Sequence, residues 1–233
     1  MESGFGVQGI ARQERGIAPL MRIFPMSVLT QPTARTLRLL LSMTLIAALA
    51  ACAPMRVKQN APTSEALAAQ DAREAALAGK SRWTLEARIA VSGENGGSGD
   101  LVWRQDGDTY SFSVRGANGK TLRLSGDAGR AVLEGVDAQP EVGSDPQVLL
   151  RERLGTDVPF AALRRWALGL RVDGEPAQLQ FDDRQLPAQL VQNGWTVEYL
   201  DWFADRNPAL PKKVFATRGK DKVKLIIQSW SFD

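Results

Sequence analysis

Trp83-Thr84-Leu85-Glu86-Ala87-Arg88-Ile89-Ala90-Val91 alternates apolar and polar side chains one by one. In an extended chain successive side chains point to opposite faces. Trp83, Leu85, Ala87, Ile89 and Val91 therefore share one face, and Thr84, Glu86 and Arg88 take the other. This predicts a half-buried strand, and the same period continues downstream. The glycine-rich stretch 93–99 reads as a flexible hairpin tip, followed by a strand through Leu101 and Trp103 and a tight turn at Asp106-Gly107. Tyr110, Phe112 and Val114 then alternate with Ser111, Ser113 and Arg115. Leu122 and Leu124 lead to a turn at Gly126-Asp127, and Ala131 to Glu134 extend the meander.

The period then lengthens. Ser144-Asp145-Pro146 is a helix-entry signal, with Leu149, Leu150 and Leu154 forming an apolar stripe that stops at Gly155. Pro159 opens a second helical stretch in which Phe160, Leu163, Trp166 and Leu170 recur every three or four residues. Strands resume at 177–182, 187–192, 194–200, 212–218 and 222–230, with a proline-bearing loop at 205–211. Upstream of Trp83, the alanine-rich residues 63–79 read as a helix capped by Thr63 or Ser64 and stopped by Gly79, with Leu67 and Leu77 as its apolar stripe. Many short antiparallel strands interrupted by helices predict one curved sheet or open barrel whose mouth the helices can cover.

Ahead of the body, Arg35 and Arg38 precede an apolar run of about a dozen residues ending at Cys52, too short to span a bilayer as a helix. This is the pattern of an export signal, and Leu49-Ala50-Ala51-Cys52 resembles the lipobox of a bacterial lipoprotein precursor. Cys52 is the expected lipid attachment point, carrying N-acyl and S-diacylglycerol groups. Ala53 after it, where an aspartate often retains a lipoprotein in the inner membrane, leaves the outer membrane as the default. The expected organisation is a signal peptide over 1–51, a lipidated N-terminus and tether over 52–62, and a single domain over 63–233. Met21 and Met26 are alternative starts, and Met26 gives a signal of ordinary length.

Charge and composition narrow the function. The chain holds 29 basic and 26 acidic residues; discounting Arg12, Arg15, Arg22, Arg35, Arg38, Glu2 and Glu14 of the first 52 leaves 24 of each. A formally neutral mature protein argues against a nucleic-acid partner. There is no histidine and only one cysteine, which removes Ser-His-Asp and Cys-His chemistry, most zinc sites and any internal disulfide. Asp182-Asp183 reads as a polar turn rather than a catalytic acid pair. Gly116-Ala117-Asn118-Gly119-Lys120-Thr121 ends like a phosphate loop, but position 114 is valine and the residues after it alternate as a strand, so the helix N-terminus that would bind phosphate is missing. No metal and no cofactor other than the covalent lipid is expected. The six tryptophans admit two readings, a core of large side chains or an apolar ligand cavity, and periodicity does not separate them.

Several segments together resemble the LolB family of outer-membrane lipoproteins. They are Arg82-Trp83 with Ala87-Arg88-Ile89-Ala90-Val91, Ser98-Gly99-Asp100-Leu101-Val102-Trp103-Arg104-Gln105, the run from Leu154-Gly155-Thr156-Asp157 through Arg164-Arg165-Trp166-Ala167-Leu168-Gly169, Gly194-Trp195-Thr196-Val197-Glu198-Tyr199, Leu210-Pro211 and the strand Val223 to Trp230. Their order and the lipobox carry the likeness over nearly the whole mature chain. The resemblance implies an unclosed antiparallel β-barrel of 10–11 strands with a helical lid. It also implies a monomeric, non-enzymatic acceptor, anchored in the outer membrane and facing the periplasm. Such an acceptor takes lipoprotein cargo from a LolA-like periplasmic carrier and inserts it among outer-membrane lipids. The expected acyl-chain cavity is lined by Leu85, Ile89, Trp103, Phe112, Val114, Leu122, Leu163 and Trp166. The expected membrane-facing loop is Gly116, Ala117, Asn118 and Gly119, where the family carries an apolar residue, usually leucine, at the position of Asn118. The competing expectation is a structural lipoprotein subunit of an outer-membrane assembly complex, which needs an outer binding surface but no acyl pocket.

Overall fold

The computed structural model describes residues 57–233; the export signal, Cys52 and the first part of the tether lie outside them. Eleven strands form one antiparallel sheet: β1 (Arg82–Val91), β2 (Gly97–Asp106), β3 (Thr109–Gly116), β4 (Thr121–Gly126), β5 (Ala131–Glu134), β6 (Glu141–Gly143), β7 (Ala177–Phe181), β8 (Pro187–Gln192), β9 (Trp195–Phe203), β10 (Leu210–Arg218) and β11 (Asp221–Phe232). Their spatial order is β6-β5-β4-β3-β2-β1-β11-β10-β9-β8-β7. Two meanders are thus joined at the centre by β1 pairing with β11, from Trp83 opposite Phe232 to Val91 opposite Val223. β6 and β7 are the free edges, so the sheet does not close on itself. Three helices accompany it: α1 (Ser64–Ala78) before β1, and α2 (Pro146–Leu154) and α3 (Phe160–Ala167) between the meanders.

Alternation decides which face is buried. Leu85, Trp103, Phe112, Leu124 and Leu133 stand opposite one another in one row across β1 to β5, and all are buried. In β11 the buried positions run Val223, Leu225, Ile227 and then skip to Trp230. A bulge against Glu86 and Ala87 adds one residue there, so the parity changes while the apolar side chains stay on one face.

Local signals account for the helix ends. The Thr63 side chain accepts the Ala66 N–H, and that of Asp145 accepts Gln147 N–H with Pro146 next to it. Gly155 ends α2 in the left-handed conformation, φ 66°. The Asp182-Asp183 turn is organised by Asp182, which accepts the N–H groups of Arg184 and Leu186 and pairs with the Arg184 guanidinium.

The structure departs from expectation in five places. Residues 97–99 of the glycine-rich stretch belong to β2, because a side chain at Gly99 would collide with the backbone of Arg115 on β3. The remaining turn is not a free tip, since Asn95 N–H bonds to Leu154 O at the end of α2. Leu67 points to solvent, and α1 instead buries Ala66, Gln70, Arg73 and Leu77. β6, only three residues long, was not expected, and β10 begins at Leu210, inside the expected loop. Finally, the tether pairs with an edge: Asn60 exchanges both backbone hydrogen bonds with Phe181 of β7, and Lys58 and Asn60 hold the Asp183 carboxylate. Among the described residues no helix is long and apolar enough to cross a membrane.

Candidate functional site: the apolar face beneath the helices

Inward-facing side chains of β1 to β5 and β8 to β11 make a continuous apolar face, and α3 lies on it. Phe160, in the first turn of α3, stacks on Trp103 with centroids 5.1 Å apart and meets Tyr110 at 4.8 Å and Phe112 at 5.7 Å. Trp103 is also in edge contact with Trp83 at 5.2 Å and Phe112 at 5.2 Å. Two turns later Trp166 reaches the other meander, 6.1 Å from Trp195 of β9. Phe160, Leu163 and Trp166 occur at the spacing of one helix face, which is why one short helix can bridge both halves. Offset and edge-to-face aromatic pairs of this kind add to the area they bury.

Both indole N–H groups are satisfied by buried amides. Trp103 Nε1 donates to Gln105 Oε1 at 3.2 Å, and Gln105 Nε2 donates to the carbonyls of Gly107 and Thr109. Trp166 Nε1 donates to Gln192 Oε1 at 3.3 Å, and Gln192 also bonds the N–H and C=O of Val172. These amides remove the cost of burying the tryptophan N–H in an apolar face.

The eight expected cavity residues fall on this face. Leu85, Trp103 and Phe112 form one row, and Val114 and Leu122 pair in the row toward the 117–120 turn, where both are only half-buried. Ile89 is buried opposite Gly99, and Leu163 and Trp166 descend from α3. None of the eight lines either of two clefts that open on the body. One, about 230 Å³, lies between Leu77, Lys80, Trp83, Arg164, Leu168 and Leu170. The other, about 490 Å³, is walled largely by Glu74, Arg171, Asp173 and Glu175. The face beneath α3 is therefore covered by side chains, with Phe160 filling the place over Trp103. Phe160, Tyr110, Trp195 and the two glutamines were not among the expected site residues. Phe160 carried a signal in the α3 stripe, Tyr110 in the alternation of its strand and Trp195 as one of the six tryptophans; the glutamines carried none.

α1 is clasped over the edge of this region by an unusual group. Arg73 is only 7% exposed. Its guanidinium donates to the carbonyls of Leu168 (2.8 Å), Gly169 and Ala209 (3.3 Å), and stacks over Trp202 at 5.0 Å. Burial lowers its pKa to about 10. Next to it, Glu74 receives two hydrogen bonds from the Arg171 side chain, both 2.9 Å, and one from Gln70 at 2.7 Å. Burial alone would raise the Glu74 pKa, but these donors together hold it below the ordinary 4.5. A depressed carboxylate stabilises the fold above its unfolded pKa, and that contribution disappears as pH falls through the folded value. We therefore expect α1 to loosen progressively as pH is lowered from 7 through and below the ordinary carboxylate range. Hydrogen exchange of its amides, corrected for intrinsic rates, measures this. Unchanged protection would mean that Arg73 and packing alone hold α1.

The expected membrane-facing loop is the turn between β3 and β4. Gly116 N–H bonds to Lys120 O, Gly119 N–H bonds to Gly116 O, and Gly119 has φ 77°. Ala117, Asn118 and Gly119 are exposed, and the Asn118 side-chain oxygen turns back to accept Lys120 N–H at 3.0 Å. Asn118 thus stabilises the turn from within. Among the described residues no group of three or more histidine, cysteine or acidic side chains is placed to hold a metal.

Residues 81–230 match the model of the family described as outer membrane lipoprotein LolB. Among curated proteins, an outer-membrane lipoprotein LolB of Xanthomonas campestris pv. campestris (strain 8004) is 34% identical over 170 residues, covering 70% of this chain and 78% of that one. Its counterpart in Alkalilimnicola ehrlichii is 34% identical over 158 residues, covering 66% and 79%. Among solved structures, a LolA superfamily protein of Nitrosomonas europaea superposes with a TM-score of 0.47 at 9% identity, covering 72% of this chain and 93% of that one.

Proposed function

Because the chain belongs to the LolB family of outer-membrane lipoproteins, which serves lipoprotein trafficking to that membrane, we propose that it accepts lipoproteins from a LolA-like periplasmic carrier. It binds their acyl chains on the apolar face beneath α3 and passes them into the outer membrane, itself anchored through lipid on Cys52. One observation carries this reading: a continuous apolar face spans both meanders and is covered by helices, its centre by the eight-residue α3. α3 has no side-chain N-cap bond, and glycines with left-handed backbone flank the segment on either side, Gly155 at φ 66° and Gly169 at φ 72°. Such a helix can swing aside from its uncapped N-terminal end, while Arg73 holds the Leu168 and Gly169 carbonyls at the other.

The energetics explain why a protein is needed. At ~0.8 kcal/mol per methylene, one sixteen-carbon chain in water costs on the order of 12 kcal/mol. Lifting Phe160, Leu163 and Trp166 off the sheet exposes apolar surface, and an acyl chain laid in their place covers it again. Each handover exchanges one apolar contact for another, so it needs no nucleotide and no covalent step.

The test is transfer itself. Mature protein in vesicles is mixed with carrier loaded with a fluorescent triacylated lipoprotein, and cargo is followed from carrier to vesicle. We expect transfer, with a change in tryptophan emission on binding, because Trp103 and Trp166 lie at the contact. Replacing Leu163 with glutamine should slow acceptance about tenfold, since it places an amide where an acyl chain must lie. Folded protein that accepts no cargo would overturn the proposal.

A further inference from the structure

Four large apolar side chains are exposed among the described residues, and two of them, Val136 (43%) and Val142 (59%), lie in one short segment. That segment, 135–142, is the connection from β5 to the edge strand β6, with Ala138 and Pro140, together with Glu141 and Val142 of β6 itself. Its two carboxylates meet a single group: the Arg153 guanidinium of α2 pairs with Asp137 at 2.9 Å and with Glu141. The loop is therefore tied to α2 through its charges, while Val136, Ala138, Pro140 and Val142 are exposed. Gly135, at φ 81°, lets the backbone lie directly against Thr121 O, where a Cβ would come within 1.9 Å. Thr121 begins β4, so this loop leaves the sheet beside the 117–120 turn. The exposed cations Arg115 and Lys120 stand around the same end, and Arg123 there pairs with Glu134 at 3.7 Å.

We propose that the 135–142 loop is a membrane-contacting tip: Val136, Ala138, Pro140 and Val142 enter the interfacial layer of a phospholipid bilayer while the neighbouring cations meet lipid phosphates. The inference deepens the function proposed above and rests on it, since it assumes that the body works at a bilayer surface. Two observations select lipid over protein as the occupant. Two valines, an alanine and a proline make a patch far smaller than the roughly 1,200 Å² of a stable protein interface. Neutralising both acids on Arg153 also removes the repulsion and desolvation that carboxylates would suffer at an anionic headgroup layer. Between the two adjacent tips, the 117–120 turn ends in the polar Asn118, and the aliphatic surface is on its neighbour.

The test places an environment-sensitive fluorophore on single cysteines introduced at Val136 or Val142. The protein is the mature lipidated form in vesicles of phosphatidylethanolamine and phosphatidylglycerol, and parent protein that takes up no label confirms that Cys52 is blocked. Labels at Leu67 and Ile226, exposed on α1 and on the outer face of β11, serve as comparison. We expect blue-shifted emission and quenching by lipid-borne quenchers at 136 and 142 only. Val136→Asp with Val142→Asp should slow release of cargo into vesicles about tenfold, while acceptance from the carrier and the thermal midpoint stay unchanged. Water-like emission at both positions would overturn the inference. So would equal shifts at all four positions, a shift that scales with protein density (self-association), or one that requires added carrier. If parent protein accepts no cargo while the two labels still report lipid, the functional proposal fails and the tip stands.

Discussion

Replacing Trp103 with alanine should lower the stability of the body by about 3–5 kcal/mol. The side chain is fully buried, and Trp83, Phe112 and Phe160 all pack on it within 5.2 Å. Truncation would leave a void lined by rings, two of them on strands fixed in the middle of the sheet, so little collapse can fill it, and it would leave the Gln105 side-chain oxygen without its donor. For a body of this size the loss corresponds to a fall in thermal midpoint of about 6–20 °C. Trp103→Phe, which keeps most of the ring contact, should cost markedly less. A drop of under about 1 kcal/mol, within the ordinary scatter of surface substitutions, would show that the rings over Trp103 are loosely packed. The apolar face would then be partly open even without cargo.

Replacing Cys52 with alanine should abolish attachment of the mature protein to the outer membrane. The thiol is the proposed site of lipid addition, and no other cysteine exists to substitute for it. Two or more acyl chains give lasting attachment, whereas none leaves only surface contact. The variant should take up no labelled palmitate and should accumulate as uncleaved precursor. The body should keep its thermal midpoint, because its described core is assembled without the thiol. Mass spectrometry of wild-type protein decides the premise: an unmodified Cys52, or a mature chain beginning elsewhere, would refute it.

Much of the sheet was legible because alternation reports burial directly. Leu85 and Phe112 each sit between polar neighbours, and each lies on the inner face. Legibility failed where tertiary contact overrode the local pattern. Arg73 and Gln70 carry polar side chains and read as solvent-facing, yet they are buried because the carbonyls of Leu168, Gly169 and Ala209 need donors. Leu67 was displaced to the surface by the same choice of face. Glu141-Val142-Gly143 is too short for alternation to register, and it is tied in place by pairing with β5 and by the Arg153–Glu141 ion pair, both tertiary contacts. The candidate site was legible as a face but not as an enclosure. The positions of Leu85, Ile89, Trp103 and Phe112 follow from period two, whereas the seating of Phe160 over Trp103 depends on how α3 docks, which no local pattern encodes.

The pairing of β1 with β11 has a consequence for how the chain acquires its structure. Trp83 and Phe232 meet across almost the whole length of the body. The sheet therefore lacks its central seam until the final residues have been synthesised. Contacts this distant in sequence carry a high loop-closure cost and make for slow folding. For a protein bound for the outer membrane, that slowness is useful. Either meander alone exposes an unpaired inner strand and half an apolar face, so an emerging chain has no complete intermediate in which to settle before it leaves the cytoplasm. The same topology makes the C-terminus intolerant of loss. A chain cut short before Val223 would not lose one strand from an edge; it would leave two unjoined half-sheets, each with a sticky border open to aggregation.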